Sequence, residues 1–331
     1  MNLGINGFGR IGRSAARIAL FNPEIKNIHV NDLGDIQTLS HLLKYDSIHN
    51  KFPLKFSIKE ETLFFENEKT IFFSNKKDPE NIPWIDTKTD IVLECTGKFL
   101  TYSDAKKHLL AGCKKVILSA PSKSENIPNI VFGINDTLLN EDDKIVSNAS
   151  CTTNNAAAML WVLKKITPIE SASITTIHSY TSDQKIHDSP HKDLRRARSA
   201  GVSIIPTTTG AAKTIGDIFP SLKGKIKGSS YRVPVANGSI TEITILGNKK
   251  VSKEDINSAI KKAAKTELKN ILSYTEEPLV SSDIIGLKES CLYDGNLTQV
   301  NNGLIKVVGW YDNEIGYSNR LLDLAMKINS F

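Results

Sequence analysis

The sequence has little cysteine, and its four thiols are too scattered to form a metal or redox motif. Cys95, Cys113, Cys151 and Cys291 include no C-x-x-C pair and no spacing typical of zinc ligands, so no metal site is expected. In a chain of 331 residues, this cysteine usage is typical of a reducing compartment.

Long hydrophobic runs and low-complexity tracts are also missing. No apolar run approaches the ~18 residues that a membrane span needs, and no charged segment followed by a hydrophobic one resembles a signal peptide. We therefore expect a cytoplasmic, soluble protein with no membrane partner.

The surplus of positive charge is small. A net charge of +6 suits a phosphorylated substrate or cofactor but does not by itself indicate nucleic acid. The basic run of Arg195, Arg196 and Arg198 comes just after Asp193, whose negative charge interrupts the basic patch, and it has no interleaved aromatic residues for base stacking. A solvated face or a subunit contact is the alternative interpretation of this run, and no nucleic-acid partner is indicated.

In the first half of the chain, short apolar strands alternate with helical segments. This alternation is typical of βαβ units and a mostly parallel sheet. The predicted strands are Leu3–Asn6, Asn27–Asn31, Ile91–Glu94, Lys115–Leu118 and Ile130–Phe132, and the predicted helices are Gly12–Phe21, Ile36–Leu43 and Ser103–Ala111. Antiparallel hairpins are predicted between Phe52 and Phe73.

After Cys151 the pattern changes to β-rich segments with loops between them, which favours an α+β arrangement. The predicted strands there are Ser173–His178, Lys227–Val233, Ser239–Leu246 and Lys306–Tyr311, and the predicted helices are Asn155–Lys165, Lys253–Leu268 and Gly316–Ile328.

The first predicted strand runs into a glycine-rich turn, Gly7-Phe8-Gly9-Arg10-Ile11-Gly12. A G-x-G-x-x-G that opens a helix is typical of dinucleotide binding, because the pyrophosphate can approach the backbone and meet free N–H groups. The alternative is a purely structural turn. Asp32 ends the next strand twenty residues after Gly12, where a carboxylate would accept hydrogen bonds from a ribose. Because Asp32 would repel a 2′-phosphate, the predicted cofactor is NAD rather than NADP.

Cys151 lies among small polar residues, just before the helix-forming run that starts at Ala156. A helix starting at Cys151 would direct its unpaired N–H groups and dipole toward the sulfur, which favours the reactive thiolate. The alternative is an inert buried cysteine. His178 ends a predicted strand and is the candidate base for this thiol, although a lone histidine is more often structural.

Three further groups of residues are candidates for anion binding. Ser150 and Thr152 flank the cysteine, and Thr209 and Gly210 precede a helical run. The basic run around Arg196, with Arg232 in a strand, forms the third group.

Together these residues resemble phosphorylating glyceraldehyde-3-phosphate dehydrogenases, and the resemblance covers essentially the whole chain. The matching runs are Ile5–Arg13, Glu94–Gly97, Ser147–Asn154, Pro206–Lys213, Arg232–Pro234 and Trp310–Glu314.

The resemblance implies a role for each matching site residue. Cys151 would be the nucleophile and His178 its base. The implied cofactor-binding residues are Gly7, Gly9, Arg10, Ile11, Asp32, Lys77, Thr96, Ser119 and Asn313. The implied substrate and phosphate ligands are Ser150, Thr152, Thr181, Arg196, Thr209, Gly210 and Arg232.

It further implies oxidation of glyceraldehyde 3-phosphate by NAD and inorganic phosphate through a cysteine thioester, in glycolysis or gluconeogenesis. The family is typically homotetrameric, and the loop from about Lys185 to Gly201 contributes to subunit contacts. Two alternatives stay open, an erythrose-4-phosphate dehydrogenase and a non-catalytic binding relative. Ser189 replaces an apolar residue common in NAD-specific members, so residual NADP use also stays open.

The expected fold class is α/β, with a doubly wound Rossmann domain of mostly parallel sheet and an α+β catalytic domain of mainly antiparallel sheet. We expect an NAD-binding domain over residues 1–150 and a catalytic domain over residues 151–315. A C-terminal helix over residues 316–331 is expected to pack back on the NAD-binding domain.

Overall fold

A computed structural model describes residues 1–331. In it the chain forms two compact units. Unit 1 comprises Met1–Phe132, Asp136–Ala149 and Ser318–Phe331, and unit 2 comprises Gly133–Asn135 and Ser150–Tyr317. We keep the division at 150/151 and 315/316 as a proposal for the working domains.

Unit 1 contains an eight-stranded sheet. Its strands are β1 (Leu3–Asn6), β2 (Ile28–Asn31), β3 (Phe56–Lys59), β4 (Thr62–Phe65), β5 (Thr70–Ser74), β6 (Ile91–Glu94), β7 (Lys115–Leu118) and β8 (Ile145–Ser147). Its helices are α1 (Arg10–Ala19), α2 (Ile36–Lys44) and α3 (Tyr102–Leu110). The order is β3-β4-β5-β2-β1-β6-β7-β8, and only the β3-β4-β5 edge is antiparallel. The mostly parallel sheet is confirmed.

Apolar runs explain the central strands of this sheet. All four residues of β1, β2, β6 and β7 are buried, as expected for parallel strands covered on both faces. Trp84, Val92 and Val116 belong to the apolar core of this unit.

The strand predicted at Ile130–Phe132 is wrong. Only one isolated bridge, between Asn129 and Ser147, forms there. Pro128 has no N–H for a ladder, and Gly133, with φ +77°, lies in the turn that follows. The edge of the sheet is formed by β8 instead. Two backbone hydrogen bonds hold this segment to β8, from the Ile130 N–H to the Ser147 oxygen and from the Ser147 N–H to the Pro128 oxygen.

Unit 2 contains a second, mainly antiparallel sheet, as predicted. Its strands are β9 (Ile169–Ser179), β10 (Ile205–Thr207), β11 (Ile226–Val233), β12 (Ser239–Gly247), β13 (Leu272–Thr275), β14 (Cys291–Asp294), β15 (Gln299–Asn301) and β16 (Leu304–Tyr311). The helices that follow Ala149 are α4 (Cys151–Ile166), α5 (Ala211–Ile218), α6 (Lys253–Lys265) and α7 (Ile315–Asn329), whose part from Ser318 is counted with unit 1. Short 3-10 helices are Pro79–Asn81, Asp136–Leu138, Pro220–Leu222, Ser281–Ile284 and Gly295–Leu297.

Helix α4 is the central helix of unit 2. The alanines at 156, 157 and 158 are fully buried and let this helix approach the sheet closely. In β16, a Cβ at Gly309 would lie 2.6 Å from the Cys291 sulfur and 2.9 Å from the Met159 methyl carbon, so a larger residue there would have to displace these side chains. The first residue of α4, Cys151, is therefore held on a rigid support. No helix of the structure is long and apolar enough to span a membrane.

Candidate active site

The predicted cofactor-binding residues of unit 1 lie at one edge of its sheet. Strands β2, β1, β6 and β7 are parallel neighbours, so their carboxyl ends meet at the same edge. Gly7, Asp32 and Ser119 directly follow β1, β2 and β7, and Thr96 lies two residues after β6. Strand β1 lies between β2 and β6: the chain runs outward from β1 through β2 to the β3–β5 edge, and then returns to β6 on the other side of β1. Such a switch point is where doubly wound sheets bind ligands.

The glycine turn after β1 leaves room for a ligand to approach its backbone closely. Gly7 has φ +95°, a conformation that favours glycine, and a Cβ at Gly12 would lie 2.1 Å from the Gly7 oxygen. A Cβ at Gly9 would meet nothing within 4 Å, so open space lies in front of this backbone. Helix α1 begins at Arg10, immediately behind that space. The turn therefore fits a pyrophosphate at a helix N-terminus.

Asp32 is fixed beside this turn by two backbone donors. The N–H of Phe8 donates to its Oδ2 at 2.6 Å, and the N–H of Gly34 donates to its Oδ1 at 2.9 Å. Each carboxylate oxygen keeps a further lone pair for a ribose hydroxyl. The residues present therefore fit the adenosine ribose of NAD.

The other predicted cofactor residues of unit 1 differ in how they are held. Nη1 of Arg10 forms an ion pair with Oδ2 of Asp46 at 2.5 Å. Lys77 is exposed to solvent, and Ile11 is half-buried. Thr96 donates both its N–H, at 2.7 Å, and its hydroxyl to Oε1 of Glu94.

Glu94 received no role from the sequence, although it lies in the Glu94–Gly97 run. It is fully buried and also accepts hydrogen bonds from Asn6 at 2.6 Å and from His108 at 3.0 Å. The Nε1–H of Trp84 donates to His108 Nδ1, so the proton of this histidine lies on Nε2, toward Glu94. This buried network holds the turn at Thr96 in place.

In unit 2 the structure brings Cys151 and His178 together. The Sγ of Cys151 lies 3.4 Å from Nε2 of His178, the penultimate residue of β9. Helix α4 starts at Cys151 and not at Asn155, because the Ser150 hydroxyl caps it by accepting the N–H of Thr153 at 3.1 Å. Cys151 keeps part of its surface accessible, whereas His178 is buried.

The two ring nitrogens of His178 have different partners. Nδ1 lies 2.7 Å from the carbonyl oxygen of Ser179, which can only accept, and 2.8 Å from Nη1 of Arg232, which can only donate. In the tautomer that carries its proton on Nδ1, toward Ser179, Nε2 presents its lone pair to the thiol of Cys151. Arg232, opposite His178 in the β9–β11 pairing, donates to the same carbonyl at 3.0 Å.

Burial opposes the thiolate that the start of helix α4 favours at Cys151. Burial raises the pKa of the Cys151 thiol above its ordinary value, and this outweighs the opposing effects of Arg232 and the Thr152 N–H. Burial, assisted by the positive charge of Arg232, lowers the pKa of His178 to about 3. Both shifts favour a neutral thiol beside a neutral imidazole, and this is the arrangement that a thiol nucleophile with a neighbouring base requires.

Tyr311 packs against His178 and was assigned no role in the sequence analysis beyond its place in the Trp310–Glu314 run. Its ring packs edge-on to His178 with centroids 5.9 Å apart, and its hydroxyl lies 2.9 Å from the Thr152 hydroxyl. Burial raises the pKa of Tyr311, so it stays neutral. Thr152 is therefore tied down by its side chain beside the cysteine.

The predicted anion-binding residues are held by different parts of unit 2. The guanidinium of Arg196 donates to the Thr207 hydroxyl at 2.6 and 2.9 Å and pairs with Asp183. Thr209 accepts the N–H of Ala211 at 3.2 Å at the start of α5, where Gly210 is the capping residue. Thr181 follows β9 and is half-buried. Arg232 contacts His178 directly, with Nη1 2.8 Å from Nδ1.

Asn313, the last predicted cofactor residue, follows β16. Its Oδ1 accepts hydrogen bonds from the hydroxyls of Ser179 at 2.8 Å and Ser239 at 2.9 Å. Neither serine was identified from the sequence, which gives no signal for contacts across three strands.

A Rossmann-type cofactor unit in the same chain as a paired thiol and imidazole is typical of an NAD-dependent dehydrogenase. Two family models match, the NAD binding domain of glyceraldehyde 3-phosphate dehydrogenase over residues 1–102 and its C-terminal domain over residues 150–313. The chain belongs to the glyceraldehyde 3-phosphate dehydrogenase family.

Full-length relatives agree with this assignment. A glyceraldehyde-3-phosphate dehydrogenase of Geobacillus stearothermophilus is 51% identical over 100% of this chain and 98% of its own length. One from Borreliella burgdorferi is 49% identical over 99% of both chains. Glyceraldehyde-3-phosphate dehydrogenase 1 of Bacillus subtilis is 48% identical over 99% of this chain and 98% of its own.

Proposed function

We propose that this protein oxidises glyceraldehyde 3-phosphate with NAD and inorganic phosphate to 1,3-bisphosphoglycerate, as a step of glycolysis or gluconeogenesis. The observation that carries the proposal is the 3.4 Å contact between Cys151 Sγ and His178 Nε2, beside the cationic Arg232. The relatives named for this activity support it over their full length.

In the first step Cys151 attacks the aldehyde carbon. Its thiol proton passes to Nε2 of His178 as the carbon–sulfur bond forms, because neither group is charged at rest. The imidazolium and the N–H of Cys151 stabilise the developing oxyanion, and the imidazolium then returns its proton to give a neutral hemithioacetal.

In the second step His178 removes the hydroxyl proton of the hemithioacetal while the carbon is oxidised. When bound, NAD supplies the acceptor for the hydride that leaves this carbon. The thioester left on Cys151 is cleaved by inorganic phosphate, and the sulfur leaves as the thiolate. That thiolate takes the proton from His178 and restores the neutral pair.

Two groups of residues are proposed to hold the two phosphates. Thr181 and Arg232 bind the substrate phosphate, an assignment supported by the place of Arg232 beside His178. For inorganic phosphate the proposed ligands are Ser150, Thr152, Arg196, Thr209 and Gly210. The start of α5 supports this assignment, because its free N–H groups and the hydroxyl of Thr209 suit an anion.

Reduced cofactor should accumulate only when both glyceraldehyde 3-phosphate and inorganic phosphate are supplied. The measurement is absorbance of the reduced nicotinamide, with glyceraldehyde 3-phosphate and erythrose 4-phosphate compared with and without phosphate. Faster turnover of erythrose 4-phosphate, or rates independent of phosphate, would favour an erythrose-4-phosphate dehydrogenase. No turnover of either aldehyde would favour a binding relative.

Replacing Asp32 by asparagine should weaken the preference for NAD over NADP. The asparagine still offers an acceptor to the Phe8 N–H, but it loses a charge-assisted bond to ribose and no longer repels a 2′-phosphate. We expect kcat/KM for NAD to fall about tenfold and the NADP-to-NAD ratio to rise by at least that factor. Asp35→Asn in the same loop is the matched control, because either residue caps α2. An equal change in both variants would reject the role of Asp32.

We also propose a homotetramer working in the reducing cytoplasm. Four large apolar side chains are exposed in or next to the loop that the resemblance assigns to subunit contacts: Ile186 by 80%, Leu194 by 83%, Val202 by 81% and Ile204 by 69%. Exposed apolar clusters of this kind mark interaction surfaces. All four cysteines are free thiols, which supports a reducing compartment.

A further inference from the structure

Ser179 and Ser239 lie on either side of the Asn313 carboxamide, and the proposed mechanism does not use them. We propose that these two serines are positioning residues that fix the orientation of the Asn313 amide, so that its NH2 group is the one offered to the nicotinamide carboxamide of NAD. This inference rests on the proposed function, which assigns Asn313 to that part of the cofactor.

The three residues meet at the ends of three neighbouring strands. Ser179 is the last residue of β9, Ser239 is the first of β12, and Asn313 follows the end of β16 by two residues; these strands are adjacent in the order β9-β12-β16. Ser179, Ser239 and Asn313 are exposed by only 0%, 1% and 7%. Water therefore cannot satisfy the serine hydroxyls, and their protons need an acceptor in the protein.

The hydrogen bonds leave one consistent orientation of the amide. Ser239 Oγ already accepts the backbone N–H of Ser179 at 3.1 Å, so its own proton is free to donate. Both hydroxyls donate to Asn313 Oδ1, at 2.8 and 2.9 Å. Rotating the amide by 180° would place NH2 against both hydroxyls and leave two buried hydroxyl protons without an acceptor, which is costly.

The backbone around Asn313 is fixed separately. Asp312 Oδ1 accepts the N–H groups of Glu314 at 2.8 Å and Ile315 at 2.9 Å, and its Oδ2 accepts the N–H of Gly286 at 2.7 Å. The loop at Asn313 therefore keeps its shape without the serines, whose hydroxyl protons act on the amide torsion of Asn313. With Oδ1 engaged, Nδ2 remains to donate to a carbonyl oxygen such as that of the nicotinamide carboxamide.

Equilibrium binding tests this arrangement without relying on turnover. Calorimetric titrations compare NAD with ADP-ribose, which lacks the nicotinamide ring, on the full chain. We expect Ser179→Ala and Ser239→Ala each to weaken NAD binding about three- to tenfold, because one hydrogen bond that orients the amide is lost. ADP-ribose binding should be unchanged, since it makes no contact with Asn313.

A double-mutant cycle then separates orientation from general damage. In an Asn313→Ala background, where there is no amide to orient, the serine substitutions should have no further effect on NAD binding. Ser290→Ala is the matched control, because Ser290 is a buried serine of the same unit whose hydroxyl has no partner. It should leave the binding of both ligands unchanged.

The outcomes distinguish the inference from the proposed function. If Asn313→Ala weakens NAD binding but the serine variants do not, the positioning role is rejected while the cofactor assignment stands. Equal weakening of NAD and ADP-ribose by the serine variants, or serine effects that persist without Asn313, would also overturn it. If the unmodified protein binds no NAD, the proposed function itself fails.

Discussion

Cys151→Ser should lose about 10⁴-fold or more in turnover, the largest effect we expect from any single substitution. A serine hydroxyl is a far weaker acid than a thiol, so His178 at 3.4 Å cannot generate a comparable nucleophile from it. An oxygen ester is also less readily cleaved by phosphate than a thioester. The measurement is kcat for reduced-cofactor formation, together with mass spectrometry for the acyl group on Cys151 in the unmodified protein.

Cys113→Ser is the matched control for this substitution. Cys113 is buried in unit 1, and its thiol donates to the carbonyl of Lys115, a bond that a serine hydroxyl can replace. We expect this variant to keep its turnover. If Cys151→Ser remained active at a rate near that of Cys113→Ser, Cys151 would not be the nucleophile.

The reactivity of Cys151 has a different origin from the one that local sequence suggests. The start of α4 does lower the pKa of the thiol, through the Thr152 N–H, and Arg232 does the same through its charge. Burial acts more strongly in the opposite direction, and burial depends on packing that local sequence does not encode. We therefore propose that reactivity at neutral pH depends on proton transfer to His178 during attack, and not on a pre-existing thiolate.

Sequence patterns predicted the strands of unit 1 well where the chain is buried on both faces. Ile91–Glu94 and Lys115–Leu118 are such runs, and both have the predicted bounds. Patterns failed where the segment is short or mixed: β13 and β14 alternate apolar with polar or aromatic residues and were not predicted. Ile130–Phe132 has strand composition, but the flanking Pro128 and Gly133 prevent a ladder.

The candidate site was predictable to different degrees. The glycine turn and Asp32 follow from local spacing, because both lie at strand ends that a parallel sheet brings together. The contact between Cys151 and His178 joins residues 27 apart and was anticipated only through family resemblance. The bond from Ser179 to Asn313 spans 134 residues, and it exists only because β12 lies between β9 and β16.

His178→Asn should reduce turnover by about 10²–10⁴-fold and so leave a slow enzyme that is still faster than Cys151→Ser. Asparagine can keep a polar contact with the thiol but cannot accept its proton. The buried imidazole, with its pKa lowered to about 3, is in its proton-accepting form at every pH above that value. Its base function is therefore complete between pH 5 and 8 and is lost only as the pH falls through about 3.

This difference in proton transfer predicts different pH profiles for the two enzymes. Without the base, the variant depends on the small fraction of Cys151 thiolate, which rises tenfold per pH unit below the raised pKa of that thiol. The ratio of kcat/KM for the variant to that of the unmodified protein, measured from pH 5 to 8, should therefore climb by about one logarithmic unit per pH unit. Taking the ratio cancels any titration of the substrate itself. A ratio that is flat with pH would mean that His178 does not accept the thiol proton, and the activation of Cys151 would then need another base.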